Sequence, residues 1–67
     1  MRLKELRLAK GMTQSEVAQV IGYSSLSYAR YEKGEREPDI STLCKLADFF
    51  EVSVDYLLGR VSQERIM

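Results

Sequence analysis

Four glycines and one proline decide what this chain can become. Gly11, Gly22, Gly34 and Gly59 each follow a stretch of apolar residues at three- and four-residue spacing, and Pro38 disfavours helix at the residue before it. The stretches between are short and show no strand-like alternation. An all-α chain of short helices is the expectation. Residues 2 to 10 place Leu3 and Leu6 on one face of the first helix, which Gly11 ends. Thr13-Gln14-Ser15-Glu16 is a capping box, in which the Thr13 hydroxyl satisfies a free N–H of the first turn and Glu16 reaches back. Met12 and Val17 stand at the positions of a hydrophobic staple. The helix so started runs to about Ile21, with Val17, Ala18 and Ile21 inward, and Gly22 stops it. Ser24 caps a third helix that continues to about Lys33, and Asp39 caps a fourth. Ile40, Leu43, Ala47 and Phe50 recur as a core stripe on that fourth helix. Ser53 caps a last short helix with Val54, Leu57 and Leu58.

Composition excludes several classes of function. The 67 residues are 45% hydrophobic and 30% charged, which suits one small globular domain and not a disordered tail. A domain of this size buries only about 60% of its unfolded surface, so stability on the order of 3–10 kcal/mol is expected. There is no histidine, and Cys44 is the only cysteine. A Ser-His-Asp triad, a His- or Cys-based zinc site and an intramolecular disulfide are therefore ruled out. Cys44 lies beside the core stripe and is expected to act as a small hydrophobe. No apolar run approaches the roughly 18 residues of a membrane span, and the opening Met-Arg-Leu-Lys-Glu lacks a signal peptide's apolar stretch. The cytoplasm is the expected location. No enzyme, cofactor, metal or small-molecule ligand is implied, since carboxylates and serines occur without a base–nucleophile pairing.

Charge sums to zero but is unevenly placed. From Met1 to Lys33, Arg2, Lys4, Arg7, Lys10, Arg30 and Lys33 outnumber Glu5, Glu16 and Glu32. From Gly34 onward the balance reverses, with Arg36, Lys45, Arg60 and Arg65 against Glu35, Glu37, Asp39, Asp48, Glu51, Asp55 and Glu64. One half is fit to face a polyanion while the other keeps the molecule soluble.

The second and third helices form a helix, a tight turn and a helix. Ala18 is small enough for the two to cross closely, Gly22 permits positive φ in the turn, and Tyr28 and Tyr31 turn one face of the third helix inward. The motifs Leu6-Arg7…Lys10-Gly11-Met12-Thr13-Gln14, Ala18…Ile21-Gly22, Tyr31-Glu32-Lys33-Gly34…Pro38 and Val52-Ser53-Val54-Asp55-Tyr56-Leu57-Leu58-Gly59 follow in succession. The chain resembles the Cro/cI-type (XRE-type) helix-turn-helix transcriptional regulators over residues 1–60, nearly its whole length.

The resemblance implies a compact five-helix bundle of the lambda-repressor-like kind. It would be a sequence-specific transcriptional regulator, a repressor, binding a palindromic operator in double-stranded DNA as a homodimer. The third helix would enter the major groove and the second would lie across the backbone. Ser25, Leu26 and Arg30 match the base-facing positions. Arg30 is the strongest, because its fork can donate twice to guanine. Leu26 either touches a thymine methyl or folds against Tyr23. Gln14 matches a residue that anchors a phosphate and braces the first base-reading side chain. Lys33, Arg36 and Lys10 are further phosphate candidates. Arg7 and Glu32 match a structural ion pair joining the first helix to the end of the third. Tyr28 replaces a more common branched aliphatic, and its ring is expected to be buried with the hydroxyl wet. Val54, Tyr56 and Leu58 cannot all face one core, so an exposed apolar patch is expected to serve the dimer. Residues 61–67 form a tail expected to fray or to pack on the partner. The alternative is a protein-interaction module that keeps the fold without binding DNA, for which the neutral net charge leaves room.

Overall fold

The computed structural model describes residues 1–61. Five helices follow one another: α1 (Leu3–Ala9), α2 (Gln14–Ile21), α3 (Ser25–Lys33), α4 (Ile40–Phe50) and α5 (Val54–Leu58), with no strand among the described residues. Each start after the first is fixed by a polar cap. At α2 the box is complete: Thr13 Oγ1 accepts from the Glu16 amide at 3.1 Å, and Glu16 Oε1 accepts from the Thr13 amide at 2.8 Å. Ser24, Asp39 and Ser53 accept from the amides of Ser27, Thr42 and Tyr56, capping α3, α4 and α5. The α2–α3 turn closes on Gly22, whose φ of 78° suits a residue without Cβ. The Tyr23 amide then returns to the Ala18 carbonyl at 2.8 Å, so the chain reverses in three residues before Ser24 restarts it.

The core sits where all five helices meet. Leu3, Val17, Tyr28, Leu46 and Leu57, at least one from each helix, are fully buried, and Ala18, Ile21, Tyr31, Ala47 and Phe50 complete it. Met12, on the other side of the Thr13 cap from Val17, packs against this cluster. The ends of the described chain are tied together. The Arg2 amide donates to the Leu57 carbonyl at 2.8 Å, its Nε donates to the Tyr56 carbonyl at 3.0 Å, and its guanidinium lies 4.5 Å from the Tyr56 ring centre.

Three expectations are corrected. Ile40 is not in the core stripe but 79% exposed, and Cys44 is exposed as well. The buried face of α4 centres on Thr42 and Leu46, both essentially sealed. At about 100° per residue, Ile40 and Cys44 each lie roughly 160° around the axis from Thr42 and so face solvent. A threonine can hold the inward position because its hydroxyl has a partner, the Tyr23 hydroxyl. The third correction concerns Tyr28. Its ring is buried as expected, but the hydroxyl is buried too and has no hydrogen-bond partner. It ends beneath the Arg7–Glu32 pair, not at the surface. The expected tail, residues 61–67, lies outside the described residues beyond Val61.

Candidate nucleic-acid interface

α3 is anchored from below and open above. Tyr28 and Tyr31 are buried on its inner face, with the Tyr31 ring tilted against that of Tyr23 at 6.0 Å. Ser25, Leu26, Arg30 and Lys33 remain exposed on the other side, with Ser27 and Ala29 half-buried between the two. Leu26 is 64% exposed, so it does not fold away against Tyr23. Arg30 forms no ion pair among the described residues, and its side chain extends from the outer face.

Glu32 organises the layer beneath. Arg7 Nε donates to its Oε2 at 2.7 Å and Arg7 Nη2 to its Oε1 at 3.2 Å, a two-pronged pair between α1 and α3. The third arm of the guanidinium, Nη1, donates to the Met12 carbonyl at 2.9 Å, holding the segment that leads into α2. Gln14 Nε2 donates to Glu32 Oε1 at 3.1 Å. Three helices are thus pinned to one carboxylate. Burial acts to raise the Glu32 pKa, but the hydrogen bonds from Arg7 and Gln14 outweigh it and hold the carboxyl below its ordinary range. The Arg7 guanidinium, hydrogen-bonded to Glu32, is correspondingly harder to deprotonate. Burial, reinforced by the neighbouring Glu32 charge, pushes the Tyr28 phenol far above its usual value, so it stays neutral.

The remaining candidates divide by what they already hold. Gln14 has its amide nitrogen committed to Glu32. The Lys10 ammonium stands 5.0 Å from the Phe49 ring centre. Lys33 and Arg36 are exposed and border a groove that also takes in Tyr31, Pro38, Leu43 and Leu58. Of the three residues expected in an apolar patch, only Leu58 is exposed; Val54 packs against the core and Tyr56 lies under Arg2. Sequence reasoning missed Ser15, whose Oγ lies 2.8 Å from Ser25 Oγ. It missed the Arg2 clamp as well. Neither has a periodic signature, because each depends on how two helices come together.

The Helix-turn-helix family matches residues 3–57. The HTH-type transcriptional regulator ImmR of Bacillus subtilis is 44% identical over 59 residues, covering 88% of this chain and 46% of that protein. The cryptic phage CTXphi transcriptional repressor RstR of Vibrio cholerae is 46% identical over 59 residues, 88% of this chain and 53% of that protein. The HTH-type transcriptional regulator AnsR of Bacillus subtilis is 41% identical over 64 residues, 96% of this chain and 55% of that protein. The chain spans about half the length of these relatives, whose names are those of transcriptional regulators and not of enzymes. No solved structure matches significantly. No helix among the described residues is long and apolar enough to cross a membrane. With a family match over most of its length and relatives above two-fifths identity, this chain belongs to the Cro/cI-type (XRE-type) helix-turn-helix family.

Proposed function

We propose that the chain is the DNA-binding unit of a transcriptional repressor that acts as a homodimer on a palindromic operator. The observation that carries this reading is the outer face of α3, where Ser25, Leu26 and Arg30 are exposed above two buried tyrosines. The major groove is about 12 Å wide and admits such a helix. Arg30 reads a guanine through its O6 and N7, and Leu26 rests on a thymine methyl. Ser25 contacts the base nearest the α2–α3 turn.

α2 lies across the backbone in this reading. The Gln14 and Ser15 amides precede the first bonded turn and face an anion without competition from an intrahelical acceptor. The Gln14 side-chain nitrogen carries two N–H donors; one holds Glu32 at 3.1 Å, and the other is the group that would donate to a phosphate. Lys33 and Arg36 supply cations at the far end of α3, and Lys10 joins them by leaving Phe49. The dimer contact falls to the α5 end, through Leu58 with Val54 and Tyr56 at its margin. Two half-sites would then sit about 34 Å apart, one helical turn of the duplex.

Selection of bound duplexes from a random pool tests the whole reading. A two-fold symmetric site with half-sites one turn apart is expected. The Arg30→Ala variant should lose discrimination at one G·C pair per half-site, worth about 1–3 kcal/mol, while still folding. Enrichment of no sequence by the wild-type chain, or unchanged preferences in Arg30→Ala, would overturn it.

A further inference from the structure

The first turns of α2 and α3 meet at two hydroxyls. Ser15 is the second residue of α2 and Ser25 the first of α3, both exposed, with their Oγ atoms 2.8 Å apart. Family resemblance gives the bracing of Ser25 to Gln14. Here the Gln14 amide nitrogen donates to Glu32 at 3.1 Å instead, and it is Ser15 that touches Ser25. We propose that Ser15 is a specificity-determining residue, which fixes the Ser25 hydroxyl so that it faces the base edge as an acceptor. The inference rests on the reading that α3 enters the major groove and α2 crosses the backbone.

A lone serine hydroxyl carries one donor and two acceptor sites and rotates freely. Every base pair shows both donors and acceptors in the major groove, so an unconstrained serine finds a partner on any of them. Pairing removes that freedom. Only one proton lies between the two oxygens. If Ser15 supplies it, Ser25 keeps a proton for the groove; if Ser25 supplies it, Ser25 offers the groove lone pairs alone. The free molecule allows both orders.

DNA breaks the tie. The backbone that α2 would cross presents phosphate oxygens, which accept and do not donate. Ser15 gives its single proton to the backbone, so its oxygen must accept from Ser25. Ser25 then meets the base with lone pairs only. In the major groove the donors are the exocyclic amino groups of adenine and cytosine, one in each base pair. The position of that amino group, which differs between a pair and its reverse, is what Ser25 reads. A residue that never touches a base thus sets the polarity of one that does.

The test is selection from a randomised duplex pool with the wild-type chain and with Ser15→Ala, Ser15→Thr and Ser25→Ala, each checked for helical content by circular dichroism. Ser15→Ala and Ser25→Ala should weaken preference at the same base pair of each half-site, by about three- to tenfold, the worth of one neutral hydrogen bond. Ser15→Thr keeps the hydroxyl and should retain the preference. On the selected site, removing the exocyclic amino group from that base pair should weaken wild-type binding by a similar factor and leave Ser15→Ala binding unchanged. Intact preferences in Ser15→Ala, loss at a different pair from Ser25→Ala, or indifference of the wild-type chain to the amino group would each overturn the proposal. Enrichment of no sequence by the wild-type chain would instead overturn the DNA-binding reading, and this inference with it.

Discussion

Arg7 and Glu32 do their work by being costly to separate. Their side chains are 11% and 4% exposed, so removing one leaves the other in a place that water hardly reaches. Arg7→Ala should lower stability by about 2–4 kcal/mol, read from the urea midpoint, and should loosen α3 as well. A variant as stable as the wild-type chain would count against the pair as a structural tie. The same carboxylate gives a pH signature. Because Glu32 titrates lower in the folded chain than in the unfolded one, its contribution is whole above the ordinary glutamate pKa of about 4.3. It fades as pH falls through the lower folded value. Comparing urea midpoints of the wild-type chain and Glu32→Gln from neutral to acid pH should show a gap that closes on acidification. Tyr28→Phe should hold or raise the melting temperature, since it deletes a buried hydroxyl that has no partner, a gain of up to about 1 kcal/mol. The sequence showed Tyr28 to be inward, because it sits three residues from Tyr31. It could not show where the hydroxyl ends, since that depends on Arg7 and Glu32 arriving from other parts of the chain.

Helix boundaries were legible because they are written in local chemistry. A capping side chain and the amide it serves are three residues apart, as with Thr13 and Glu16 or Asp39 and Thr42. The facing of α4 was less legible. Ile40 and Thr42 compete for the inward side, and hydrophobicity alone chooses the wrong one; Tyr23, from the α2–α3 turn, decides it. One boundary departs from the glycine rule altogether. α4 ends on Glu51, whose φ of 57° is left-handed despite its side chain, whereas Gly22 meets the same demand without strain. Glu51→Gly should therefore stabilise the chain by about 0.5–1 kcal/mol, and Gly22→Ala should destabilise it by about 1–2 kcal/mol, both read by thermal unfolding. Failure of the two changes to move in opposite directions would show that neighbours, not backbone strain, govern these caps.

Across the whole molecule, the opposed charge of the two halves bears on how the chain would meet DNA. Binding should weaken with salt, and Lys33→Ala should make the log–log salt slope shallower by about one unit per protomer with little change in sequence preference. Arg30→Ala should do the reverse, relaxing preference more than it changes the slope. The family and the identity of the exposed α3 face were readable from motif succession. The layer under that face was only partly so, because Ser15 acts through the way α2 and α3 pack together and Arg2 through contacts with residues more than fifty positions away. Arg2 leaves a practical mark. An amide at the start of a helix has no acceptor within that helix and ordinarily trades its hydrogen with deuterated solvent quickly, but that of Arg2, which precedes α1, is locked to the Leu57 carbonyl at 2.8 Å. Its protection would report whether the bundle is closed, so a single resonance near the start of the chain could serve as a gauge of integrity for the opposite end.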